Sequence, residues 1–115
     1  MSLHITTEEV GDVVVVICKG NITENWESII LRKVLVRLTR EDRFKIVLNL
    51  KNVSRINCVG IHEILDPIIE VRENKGDIKL LWLHTEVRSK FKGLMLHKMF
   101  EIFRTKKKAL KSFEE

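Results

Sequence analysis

The chain of 115 residues has little of what usually marks a special class of protein: one proline, five glycines, two cysteines and no tyrosine. With so little proline and glycine and no biased tract, it reads as neither a linker nor a disordered segment. Cys18 and Cys58 lack C-x-x-C spacing. That argues against a zinc ribbon or disulfide scaffold and for reduced thiols in a cytoplasmic protein. No apolar run approaches the roughly 20 residues that span a bilayer. Residues 1–9 lack the basic start and apolar core of a secretory signal. The P-loop, G-x-G-x-x-G, G-x-S-x-G and H-E-x-x-H patterns are also missing, so the expectation is a protein that is not an enzyme and needs no cofactor.

What is present is an ordinary core. Apolar residues make up 44% of the chain, and Lys plus Arg exceed Asp plus Glu by 21 to 16, a net charge of +5. The length suits one domain over residues 1–115. The charge surplus is mild. Its densest run, Lys106-Lys107-Lys108 with Lys111, has no aromatic residues interleaved and reads as a solvated helix face, with no direct nucleic-acid contact expected.

Periodicity sets the expected elements. Leu3–Thr7 and the β-branched run Val13–Cys18 form a hairpin about a turn at Val10-Gly11-Asp12. Thr23 and Asn25 offer caps for a helix to about Thr39, with Trp26, Ile29, Ile30, Val34, Leu35 and Leu38 facing inward. Phe44–Leu50 reads as a strand buried on both faces. A helix from about Val59 to Asn74 follows, and Pro67 either kinks it over residues 63–67 or restarts it. Ile78–Leu83 is a further buried strand. A helix from Glu86 turns Val87, Phe91, Leu94 and Met95 inward, and Gly93 either admits a close neighbour or weakens it. Met99–Phe103 is a last edge strand, and Thr105 caps a helix to Phe113. Trp26 and Trp82 belong to the core on this reading. The fold class is α/β, a mixed sheet of about four to five strands packed with about four helices.

The most informative stretch is Ile46 to Gly60, IVLNLKNVSRINCVG. An apolar strand gives way to a polar turn, Val53 and Ile56 re-enter the interior, and Asn57-Cys58-Val59-Gly60 opens a helix through Ile61, Ile64, Leu65 and Ile68. Free backbone N–H groups at such a junction favour an anion or a polar partner. Asn57 reads as a loop-stabilising Asx turn. Cys58 reads as a packed, inert thiol, since free cysteine is usually buried; a thiol beside a helix start is also a candidate for redox or modification chemistry. His62 and Asp66 stand one turn apart, but two ligands without a convergent third make a solvated face, and no metal is expected.

Taken along nearly the whole chain, these pieces resemble the STAS family of bacterial anti-sigma factor antagonists. Lys19-Gly20-Asn21-Ile22-Thr23 is similar to the family's G-x-L-D/T corner. Ile46–Leu50 with Val53 and Ile56-Asn57-Cys58-Val59-Gly60-Ile61 is similar to a strand followed by I-D-S-S-G-L. Gly76-Asp77-Ile78-Lys79-Leu80, Val87-Arg88, and Leu96, Met99, Phe100, Ile102 and Phe103 fall on further family positions. The resemblance implies a module that switches partners. It binds an anti-sigma factor, usually a serine kinase, and so frees a sigma factor for transcription, until phosphorylation before the glycine abolishes binding. It implies a partner-binding set of Gly20, Asn21, Thr23, Ser54, Asn57, Cys58, Val59, Gly60, Ile61 and His62. This chain departs from the pattern at its centre. Asn57 holds the aspartate position, where the resemblance implies that it keeps the aspartate's hydrogen bonds without the charge. Cys58 holds the first serine position and Val59 the phosphoacceptor position, so no phosphorylation is expected there. The alternatives are a scaffold in an oligomer of STAS proteins, or a STAS module binding a nucleotide or lipid in the same loop region.

Overall fold

The computed structural model describes residues 3–114, so the two ends of the expected 1–115 unit lie outside the described residues. A single five-stranded sheet runs in chain order. It comprises β1 (His4–Val10), β2 (Val13–Lys19), β3 (Lys45–Asn52), β4 (Asp77–Leu81) and β5 (Ile102–Phe103). β1 and β2 form the expected antiparallel hairpin, and the pairs β2–β3, β3–β4 and β4–β5 are parallel. Parallel neighbours need crossovers, and helices supply them. These are α1 (Asn25–Arg40), then α2 (Cys58–Leu65) and α3 (Ile68–Glu73), then α4 (Thr85–Gly93); α5 (Lys106–Lys111) and a short 3-10 turn follow β5.

The alternation of β2 and β3 assigns the two faces. Val14, Val16, Cys18, Ile46, Leu48 and Leu50 enter the main core with Leu31, Leu35 and Leu38 of α1, Ile61 and Ile64 of α2, and Val87 and Phe91 of α4. Phe91 meets Phe100 edge to face at 5.9 Å between ring centres. The opposite face holds Val13, Val15 and Val47, covered by Ala109, Leu110 and Phe113 near the C-terminal end of the chain. Four helices therefore cover one face of the sheet, and a single short helix covers part of the other.

Several expectations are corrected. Trp26, Ile29 and Trp82 are exposed rather than core. In α1 the inward stripe is Glu27, Leu31, Leu35 and Leu38, and Trp26 lies one step round the helix from it. Glu27 is buried because its carboxylate folds back to accept from the backbone N–H groups of Thr23 and Glu24, both at 2.9 Å. Glu24 is therefore the N-cap residue, in place of Thr23 or Asn25. The Ile78–Leu83 strand stops at Leu81 because Trp82 takes a left-handed backbone, φ 55°. α4 ends at Gly93, so Leu94 and Met95 turn outward, and a Cβ on Gly93 would meet nothing within 4 Å. The last strand shrinks to Ile102–Phe103. The expected helix from Val59 to Asn74 is two helices, with a restart at Pro67 as one of the two readings of that proline had it.

Candidate functional site

The strand-to-helix junction after β3 is tied to the corner after β2 by a dense set of hydrogen bonds. Gly20 begins the corner at φ 112°, a region closed to most side chains. Its N–H donates to Asn52 O at 3.1 Å, that of Ile22 to Arg55 O at 3.0 Å, and that of Asn57 to Ile22 O at 2.8 Å. Ile22 and Ile56 form an isolated parallel bridge, and both side chains are buried.

Two asparagines lock the arrangement. Asn21 Oδ1 accepts from Ser54 N at 3.2 Å, Ser54 Oγ at 3.0 Å and Arg55 N at 3.1 Å. Asn57 caps α2, its Oδ1 accepting from Gly60 N at 2.8 Å, while its Nδ2 donates to Thr23 O at 3.0 Å. The same side chain therefore satisfies a free N–H at the start of α2 and fixes the residue that precedes the N-cap of α1. Asn57 is thus a local cap and a tie between the junction and the corner. Gly60 must be glycine, because a Cβ there would lie 2.7 Å from Ile22 Cγ2 and 2.9 Å from Ile56 Cγ1.

The residues of the expected binding set divide into three groups. Thr23, Ser54, Cys58, Val59 and His62 are exposed. Gly60 and Ile61 are buried and support the surface from beneath, while Gly20, Asn21 and Asn57 are half-buried. Cys58 is free and exposed, which corrects its reading as a packed thiol. Cys18 is the packed one, and burial pushes its thiol up to about 12. Val59 is 45% exposed on the first turn of α2. Trp26 and Ile29 on the first turns of α1 add exposed apolar area on the neighbouring helix, which the sequence reading missed by placing them in the core. His62 and Asp66 are exposed, and among the described residues no three of His, Cys, Asp or Glu converge on a metal-sized space.

A family model for the STAS domain matches residues 4–109. The chain belongs to the STAS domain family. No curated protein sequence matches it, but solved STAS structures superpose closely. The Thermotoga maritima protein TM1081, provisionally assigned as an anti-sigma factor antagonist, matches with a TM-score of 0.89 at 18% identity, over 96% of this chain and 95% of that one. The anti-sigma factor antagonist SpoIIAA in its unphosphorylated form gives 0.82 at 20%, over 96% of each chain. Bacillus SpoIIAA in its phosphorylated form gives 0.75 at 18%, over 95% of this chain and 98% of that one. At these identities the likeness is one of fold. Among the described residues, no helix is long and apolar enough to cross a membrane.

Proposed function

We propose that residues 1–115 act as one STAS module that binds a protein partner, an anti-sigma factor of the serine-kinase type, and thereby controls sigma-factor-dependent transcription from the cytoplasm. The binding surface is the exposed part of the Gly20–Thr23 corner, Ser54, and the first turn of α2 with Cys58, Val59 and His62. The observation that carries this reading is the exposed valine on a rigidly held helix start. An apolar side chain left in solvent on a surface fixed by Asn21, Asn57 and Gly60 suits a protein interface better than a catalytic or metal site.

Val59 also sets the regulation. It has no hydroxyl, so a kinase partner cannot release itself by phosphorylating this position, and the module binds without that control. The test is calorimetric titration with the serine-kinase anti-sigma factors of the same genome. Val59→Glu places a charge in the interface, where burial without a partner is costly, and at least a tenfold loss of affinity is expected, on the order of 1.4 kcal/mol. Incubation with the kinase and ATP should leave Val59 unmodified and phosphorylate the Val59→Ser variant. No binding to any of these kinases, or binding indifferent to Val59→Glu, overturns the proposal.

A further inference from the structure

α4 closes in a turn where an apolar side chain stands against the preference of the backbone. The N–H of Leu96 donates to Phe91 O at 2.8 Å and that of Met95 to Lys92 O at 2.9 Å. These are the paired bonds of a helix end in which the residue after the cap takes a left-handed backbone and is usually glycine. Here that residue is Met95, φ 61°. Its side chain is 76% exposed, and those of Leu94 and Met99 are exposed as well, whereas Phe91, Leu96 and Phe100 hold the turn to the core. Met95 therefore carries a backbone cost without filling the core. Gly93, two residues earlier, stands where a Cβ would meet nothing within 4 Å.

The charge around this turn has one sign. Between Glu86 and Glu101 the chain holds Arg88, Lys90, Lys92 and Lys98 and no Asp or Glu. The three lysines are exposed, and among the described residues none of them is in an ion pair. Lys90 and Lys92 also suit the negative end of α4, but Lys98 lies beyond the helix. Arg72 of α3 places the turn in the molecule, since its guanidinium donates both to Asp77 at the start of β4 and to the carbonyl of Met99. The turn thus lies by the N-terminal ends of the parallel strands. Val59 follows the C-terminal end of β3, at the opposite end of the sheet.

We propose that the turn over residues 93–99 docks on an anionic lipid bilayer, with Leu94, Met95 and Met99 entering the interfacial layer and Lys90, Lys92 and Lys98 meeting the phosphate headgroups. Apolar insertion beside unpaired cations is the combination that holds a protein on such a surface. The exposed cations are all lysines, flexible point charges that suit a mobile field of headgroups. A protein interface with fixed carboxylates favours the planar fork of arginine. Docking in this way needs no spanning segment and leaves the Val59 surface facing away from the bilayer, so the proposal stands or falls independently of the protein partner.

Flotation of the full chain with vesicles of equal parts phosphatidylglycerol and phosphatidylcholine, and with vesicles of phosphatidylcholine alone, tests it. Binding is expected to the anionic vesicles only, and most of it should be lost at about 1 M salt, where charges are screened within about 3 Å. Lys92→Gln and Lys98→Gln should each weaken it about fivefold, the effect of one lysine at an anionic surface. Lys107→Gln, the same charge change on α5, should leave it unchanged. Met95→Gly separates docking from folding. Glycine suits the left-handed position, so the urea midpoint should rise, while vesicle affinity should fall roughly tenfold with the loss of an inserted apolar side chain. Equal binding to phosphatidylcholine alone, no binding to either vesicle, affinity indifferent to Met95→Gly, or Lys107→Gln as damaging as Lys98→Gln overturns the proposal. So does polyglutamate bound as tightly as the anionic vesicles, which assigns the patch to an acidic protein.

Discussion

At Gly60 a single methyl group would be felt directly by the core. Its missing Cβ is the space occupied by Ile22 and Ile56, so Gly60→Ala must displace two buried side chains. A loss of about 1–3 kcal/mol in urea unfolding is expected, typical of overpacking. Asn57→Ala removes the cap of α2 and should cost about 1 kcal/mol; Asn57→Asp keeps the capping oxygen and should recover part of it while losing the bond to Thr23 O. The cysteines should separate cleanly under iodoacetamide, with Cys58 alkylated in the native protein and Cys18 only on unfolding. A thiol whose folded value is raised stabilises the fold below its unfolded value of roughly 8.5. That contribution falls as pH rises from there towards about 12. Denaturant midpoints between pH 8 and 10 should therefore decline more steeply for the parent than for Cys18→Ala. At this scale the sequence offered candidate residues but not how they are held together. The asparagines were visible as turn formers, yet that Asn21 would hold Ser54 and Arg55 depends on two strands lying side by side, which no local pattern encodes.

Among the elements, the short α5 depends on one buried cation. Lys79 Nζ donates to Ser112 Oγ at 2.7 Å and lies 4.3 Å from the ring centre of Phe113 and 5.8 Å from that of Phe103. Lys79→Ala removes a hydrogen bond from a charged group and two ring contacts. A cost of about 2 kcal/mol is expected, with faster amide exchange across residues 106–114 while β2 and β3 remain protected. The helices and strands themselves were legible, because a 3.6-residue period and β-branched runs are local properties. Their faces and ends were less so. The inward stripe of α1 includes Glu27, which is buried for its capping bonds and not for hydrophobicity, and apolar counting therefore rotated the stripe onto Trp26 and Ile29. The early stop at Trp82 comes from a positive φ in a residue type that gives no warning of one. The restart at Pro67 was readable, since a missing N–H and a steric clash are written into proline itself.

For the whole molecule, the order β1-β2-β3-β4-β5 puts the buried strands β2, β3 and β4 inside the sheet and the exposed β1 at an edge. Native-state hydrogen exchange should find the slowest amides at Val14–Val16 and Ile46–Leu48, with those of β1 opening earlier. The alternation of strands and helices made this architecture legible. One consequence follows from how α2 is held. Its near end is pinned to the corner after β2 through Asn57, Gly60 and Ile22, and its far end stops at Leu65, before the Asp66-Pro67 break. A push on Val59 therefore acts on a short lever whose fulcrum is the sheet and whose far arm, seated in the core through Ile64, ends within two turns. Docking at Val59 should be sensed at Ile22 and Cys18, deep in the fold, while α3, next along the chain, stays silent; backbone chemical shifts on titration with the partner would reveal which of the two moves.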